Sequence, residues 1–213
     1  MGTNEEGRTV TTVVGLTGPI GCGKTTVAGW LAARGGVVVD ADALARRATD
    51  RGQPALPAIR ARFGDAVFDA DGNLDRAGLA RIVFTDQRAL ADLEAIVHPA
   101  VHRMILSEVE AGQRAGVAFV VLEAIKLVEA GLGALCDEVW IVECGPEAQR
   151  ARLAGRGVRR DDADRRIHAQ GQHLADRLAA RLAREQPLLP VRRLRTDVPE
   201  EDVRRQVESL APA

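Results

Sequence analysis

Tyrosine is missing from this 213-residue chain, and aromatic residues make up only 3% of it. No tyrosine is therefore on hand as an acid, a base or a stacking platform. Lysine is nearly missing too: Lys24 and Lys126 are the two that occur, and arginine supplies the rest of the basic charge. A biased nucleotide composition accounts for most of that skew, which leaves the two exceptions as positions to inspect. Asparagine stands only at Asn4 and Asn73, and neither opens the Asn-Lys-x-Asp pattern with which a GTPase reads guanine. No apolar run approaches the length of a membrane span, and the start MGTNEEGRT lacks the basic-then-apolar order of a signal peptide. The expectation is a cytoplasmic protein with no membrane association and a flexible lead over residues 1–9. A net charge of −1 speaks against a broad nucleic-acid footprint. Cysteine is sparse: Cys22, Cys136 and Cys144 are odd in number and lack metal spacing, as expected of reduced thiols in a cytoplasm.

What is present is ordinary globular material, 46% hydrophobic and 28% charged, enough for one domain with an insertion or for two small ones. The informative stretch is VTTVVGLTGPIGCGKTTVA, from Val10 to Ala28. A β-branched run ends at Thr17, a glycine-rich loop follows, and an amphipathic run from Thr26 to Arg34 has helical spacing. Gly-x4-Gly-Lys-Thr lets successive loop N–H groups converge on a polyphosphate, because glycine permits positive φ and close backbone approach. The next helix turns its positive end to the same oxygens. Gly18, Pro19, Ile20, Gly21, Cys22, Gly23, Lys24, Thr25 and Thr26 are the nucleotide-binding candidates. Lys24 supplies a charge for the β- and γ-phosphates of ATP, and the Thr25 hydroxyl is placed to ligate Mg²⁺. Cys22, among those amides, has the surroundings of a readily alkylated thiol that ATP would shield, with a small filler residue as the competing account.

Val37-Val38-Val39 reads as a second buried parallel strand, capped by Asp40-Ala41-Asp42 at the carboxyl end, where α/β sheets bind ligands. Either carboxylate is placed to face a substrate. N-capping by Asp40 and first-turn charge at Asp42 are the structural alternatives, and physics alone does not separate them. Residues 51–115 change from βα alternation to helices only: Pro54 to Phe63, Asp75 to Phe84, Asp86 to Val97, and Pro99 to Glu110 with Pro99 at a helix start. That is more than a crossover needs and reads as an inserted helical region for a second substrate. FDADGNLD resembles part of a calcium loop but lacks its bidentate glutamate, so a turn is expected. GVAFVVL returns to a strand ending at Glu123, a candidate to hold or orient Mg²⁺-bound water. Lys126, one helical turn later, points toward the same crevice or simply to solvent. EVWIVEC is a fourth strand. Over 150–166 the arginines crowd around Gly155-Arg156-Gly157, as in a mobile lid that closes on phosphates, with Arg152 and Arg156 the first candidates. Arg192 to Thr196 is a last strand, and Pro199 to Leu210 a closing helix.

GLTGPIGCGKTTVA, VVVDADALAR, FGDAVFDADGNLDRAGLARIVF, IVHPAV, QRARLAGR and RIHAQ, in this order, resemble the dephospho-coenzyme A kinases over nearly the whole chain. The resemblance implies an α/β fold: a three-layer parallel-sheet P-loop kinase core over 10–50 and 116–211, a helical dephospho-CoA-binding insertion over 51–115, and an Arg-rich lid. It implies transfer of the γ-phosphate of ATP to the ribose 3′-hydroxyl of dephospho-CoA, with Asp42 as catalytic base, Lys24 on the phosphates, and Arg156, then Arg152, from the lid. The chain departs from the family at Ile125-Lys126-Leu127-Val128-Glu129, where PLL-x-E is usual, and at Arg195-Thr196-Asp197, where an Asn-Gly turn is usual. Another nucleoside-monophosphate-type kinase and a non-catalytic nucleotide-binding regulator are the competing readings. Monomeric and small homo-oligomeric forms are equally open.

Overall fold

β1, Thr12–Thr17, is buried along nearly its whole length, because an uninterrupted apolar run suits a strand covered on both faces. In the computed structural model, which describes residues 11–171 and 173–210, it is the middle of a five-stranded parallel sheet. The lead over residues 1–9 lies outside the described residues. β2 (Val37–Asp40), β3 (Phe119–Glu123), β4 (Glu138–Glu143) and β5 (Val191–Arg195) complete the order β2-β3-β1-β4-β5. Registers Leu16↔Glu123 and Asp40↔Glu123 bring the carboxyl ends of β1, β2 and β3 level. Neighbours on both sides of β1 make its end the point where the strand order reverses, which is where open α/β sheets bind ligands.

The chain divides into two compact units. The first holds the sheet, with the chain up to Asp40 and from Val109 onward. α1 (Lys24–Ala33) and α9 (Glu200–Leu210) pack on one face of its sheet, and Leu31, Val203 and Val207 share a core with Val14, Phe119, Trp140 and Leu194. α6 (Pro146–Gly155), α7 (Arg160–Gln170) and α8 (Leu174–Glu185) follow β4, α8 lying against it. The buried Glu138 carboxylate is satisfied by Trp140 Nε1 at 2.9 Å and Arg192 Nε at 2.7 Å, as a buried charge requires.

The second unit, Ala41–Glu108, is helical: α2 (Ala41–Arg47), α3 (Ala55–Phe63), α4 (Arg76–Thr85) and the greater part of α5 (Gln87–Arg114). Asp75 caps α4 by accepting from Gly78 N at 2.9 Å, and Arg76 holds Thr49 Oγ1, Arg46 O and Asp50. FDADGNLD is a turn, with Asp69 Oδ1 accepting from the N–H groups of Asp71 and Asn73. Three local expectations fail. Val37-Val38-Val39 forms a parallel strand but not a buried one: β2 ends the sheet, Val37 and Val38 are exposed, and of the three only Val39 is buried. Pro99 does not open a helix; it lies inside α5, so the two helices expected over 86–110 are one. A proline inside a helix forfeits one hydrogen bond and costs about 3 kcal/mol. Here the apolar face continues in phase through Val101, Ile105 and Val109, all buried, and burial outweighs the local penalty. Nor does Lys126 follow on a helical turn, because residues 125–131 form turns.

Candidate active site

At the carboxyl end of β1 the chain leaves the sheet through Gly18, at φ 136°, where an added Cβ would run into Val142 O. Gly21, at φ 76°, lets α6 approach: a Cβ there would lie 3.1 Å from Gln149 O. Gly23 is left-handed at φ 87° and serves as the N-cap of α1. These glycines bend residues 18–23 into a loop directly before a helix N-terminus, the geometry that binds anions.

Lys24, 7% exposed, folds back over that loop and donates from Nζ to Gly18 O at 2.9 Å and Pro19 O at 3.0 Å. Thr25, the next residue, donates from Oγ1 to Glu123 Oε1 at 3.0 Å, so the two sequence-derived magnesium candidates touch. Asp40 is the register partner of Glu123 on the neighbouring strand. Asp42 belongs to the second unit, half-buried in the first turn of α2 and two residues past the end of β2.

Arg152 on α6 donates to Gly21 O at 3.4 Å and Thr196 Oγ1 at 2.9 Å, and also to Thr196 O. Among the described residues no carboxylate pairs with it, so its charge stands beside the glycine loop offset only by neutral oxygens. Arg156 caps the C-terminus of α6 next to Gly157, exposed, its side chain without a partner among the described residues. Arg150 pairs with Asp164 at 2.6 Å, tying α6 to α7 across the break, and that contact holds the Asp164 carboxyl below its ordinary pKa. Past β5, Asp197 accepts from Arg195 Nε at 2.9 Å and from Gly145 N at 3.1 Å, and its pKa is lowered first by Arg195.

The expectation of reduced thiols fails for two of the three cysteines, and with it the reading of Cys22 as alkylatable: Cys136 is free, but Cys22 and Cys144 form a disulfide, their Cα atoms 5.3 Å apart. The two residues are 122 apart in sequence, and the sheet brings them together by setting β4 beside β1. An odd number of cysteines with no familiar spacing does not reveal such a pair. Sequence reasoning also missed Thr196, Gln149 and Gln170. Thr196, 4% exposed, donates to Cys22 O at 2.8 Å; Gln149 and Gln170 bind the two ends of Ile20. The signals were there without a role attached: Gln149 and Gln170 begin and end the segments QRARLAGR and RIHAQ, Thr196 lies in Arg195-Thr196-Asp197, and Gln149 is a polar residue four positions from Leu153 on the buried face of α6.

A parallel sheet ordered 2-3-1-4-5, with a glycine loop, lysine and threonine between β1 and α1, defines a P-loop kinase. The sequence model of the dephospho-CoA kinases matches residues 12–183. The chain is 44% identical over 159 residues to a dephospho-CoA kinase of Symbiobacterium thermophilum, covering 74% of this chain and 66% of that one. It is 43% identical over 162 residues to that of Bacillus licheniformis, covering 76% and 81%. A crystal structure of a Thermus thermophilus protein aligns over 94% of this chain and 96% of its own, with 31% identity and a TM-score of 0.74. A Campylobacter jejuni dephospho-CoA kinase shares the fold over 94% and 96%, with 20% identity and a TM-score of 0.65. The chain belongs to the dephospho-CoA kinase family, phosphotransferases that phosphorylate dephospho-CoA in coenzyme A biosynthesis with ATP as donor.

Proposed function

We propose that the chain passes the γ-phosphate of ATP in line to the ribose 3′-hydroxyl of dephospho-CoA, with Asp42, Lys24, Arg156 and Arg152 as the working side chains. The observation that carries this reading is the head of α1, where Lys24 lies across the glycine loop and Thr25 meets Glu123. Lys24 exchanges its two loop carbonyls for β- and γ-phosphate oxygens, so no long movement is needed to engage the nucleotide. Gly18 to Thr26 hold the polyphosphate through the loop and the start of α1. Arg156 reaches in from the lid to neutralise the equatorial oxygens of the transferred group, and Arg152 supports it from α6. Asp42 accepts or orients the acceptor's hydroxyl proton.

Thr25 and Glu123 fit a magnesium ion, since a hydroxyl and a carboxylate 3.0 Å apart are the hard oxygen donors it prefers. Bound there, it would offset charge on the β- and γ-phosphates. Among the described residues no cluster of three or more His, Cys, Asp or Glu offers another metal site, and no helix is long and apolar enough to cross a membrane. With ATP as donor, the cytoplasm is the proposed place of action.

Incubation with Mg-ATP and dephospho-CoA tests the reading, with ADP and the 3′-phosphorylated thiol compound as expected products. Phosphorylation of nucleoside monophosphates in preference to dephospho-CoA would replace it with the nucleoside-monophosphate kinase reading. Nucleotide binding without product would leave a regulator.

A further inference from the structure

Two glutamines from two helices grip opposite ends of one loop residue. Gln149 on α6 donates from Nε2 to Ile20 O at 2.8 Å, and Gln170, the last residue of α7, accepts from Ile20 N on Oε1 at 2.8 Å. The backbone fixes both amide orientations, since a carbonyl only accepts and an N–H only donates. Gln149 is 6% exposed, a placement that costs free energy unless its amide is bonded.

In a trans peptide the C=O and N–H of one unit point opposite ways. Ile20 O and the N–H of Gly21 belong to the same unit, so holding the oxygen against Gln149 turns that N–H to the opposite side, away from the glutamine. Gly21 is buried, and among the described residues nothing accepts from its N–H. The preceding unit is held at its nitrogen by Gln170 on Ile20 N, and at its oxygen by Lys24 Nζ on Pro19 O until the lysine turns to the nucleotide. Cys22 O, held by Thr196, turns the Gly23 N–H away from the threonine in the same way. A loop that binds phosphate through its amides thus has the carbonyls of Ile20, Gly21 and Cys22 fastened by side chains of α6 and of Thr196 at the exit of β5.

We propose that Gln149 and Gln170 are positioning residues for phosphoryl transfer: Gln149 aims the Gly21 N–H at the nucleotide by holding Ile20 O, and Gln170 locks the peptide unit before it. The inference rests on the reading that this loop holds the phosphates of ATP. It assigns opposite chemistry to two residues of one type, because position 149 must donate and position 170 must accept.

Gln149→Met, Gln149→Glu, Gln170→Met and Gln170→Glu are compared for ADP affinity by calorimetry and for kcat and KM, with melting temperatures to confirm folding. Gln149→Met loses the donor, and ADP affinity and kcat/KM fall about tenfold, the cost of one buried hydrogen bond. Gln149→Glu sets a carboxylate against a carbonyl and falls further. Its deficit shrinks as pH drops, because a protonated carboxyl can donate to Ile20 O, while that of Gln149→Met shows no such trend. At position 170 the order reverses: Gln170→Glu still accepts and retains more affinity than Gln170→Met. Gln170 is half-buried and borders an open groove of about 1220 Å³, so this pair folds and decides the order even if Gln149→Glu does not. The same order at both positions, or wild-type ADP affinity in Gln149→Met and Gln170→Met, overturns the inference. Equal ADP affinity in the unmodified chain and in Lys24→Ala would instead remove the loop reading on which it stands.

Discussion

The Thr25 hydroxyl donates to Glu123 Oε1 at 3.0 Å, joining the first turn of α1 to the last residue of β3. A hydroxyl that follows the loop lysine and a carboxylate at the end of a neighbouring strand are together suited to a cation bound with the nucleotide. Glu123→Gln keeps an oxygen to accept from Thr25 but removes the charge. The magnesium concentration giving half-maximal rate should then rise about tenfold or more, the usual cost of altering a ligand's surroundings, while ADP binding without magnesium stays the same. Rate against magnesium concentration is the measurement. An unchanged dependence would remove Glu123 from the metal site.

Arg156 is exposed at the C-terminal cap of α6, and its side chain has no partner among the described residues. Arg156→Ala should therefore leave the melting temperature nearly unchanged, since surface substitutions away from special features stay within about 0.5 kcal/mol. If the lid brings this guanidinium to the transferred phosphoryl group, kcat should fall about 10²-fold or more, as for other arginines that serve this role. Near-normal turnover at saturating ATP would remove Arg156 from the site.

Asp42→Asn separates acceptor chemistry from nucleotide binding. A group that takes or orients the acceptor's proton affects the transition state, so kcat should drop while the KM for ATP holds. A fall in ATP affinity with kcat preserved would contradict the assigned role.

β1, the loop and α1 were legible in the sequence because their rules are local: an apolar run, glycines at positive φ and the lysine-threonine pair occupy consecutive positions. The strand ending at Glu123 and the helical stretch after Asp40 were legible for the same reason. Pro99 misled because a local breaking rule was outweighed by the burial of Val101 and Ile105 on the same helix. The Cys22–Cys144 bond and the hold of Thr196 on Cys22 O were out of reach. Each joins residues more than a hundred positions apart, and only the strand order makes them neighbours.

The disulfide leads to a prediction on stability. It closes a segment of 122 residues in sequence separation, and removing a cross-link of that span costs about 2–4 kcal/mol. Cys144→Ser, or reduction of the unaltered chain, should lower the melting temperature by several degrees, read by calorimetry with and without dithiothreitol. Cys136 should not exchange into the bond. Burial first, and the nearby Asp137 charge second, push its thiol up to about 12, so it carries almost no thiolate at neutral pH. A peptide map linking Cys136 to either partner would contradict this, and an unchanged melting temperature on reduction would show that the cross-link adds no stability.

Asp197 gives the acid side of the stability profile a definite sign. The Arg195 hydrogen bond, opposed in part by burial and joined by the Gly145 N–H, holds its carboxyl below the ordinary value of 3.8. A carboxylate depressed in the folded state stabilises the fold above its unfolded pKa, and that contribution disappears as pH falls through the folded pKa. Stability should thus decline from about pH 4 downward in the unaltered chain, and Asp197→Asn, which cannot titrate, should decline less steeply over the same range. Denaturant melts at pH 3 and pH 6 measure the difference. The contribution is modest, because Arg195 is largely exposed and water screens the pair. The same substitution reports on binding: Asp197 Oδ2 fixes the Gly145 N–H at the turn between β4 and α6, and Arg152 on that helix reaches Gly21 O of the loop. A loss of ATP affinity in Asp197→Asn at neutral pH, where both forms are fully folded, would mean that this turn sets the placement of α6 against the loop. Unchanged affinity would confine Asp197 to its ion pair.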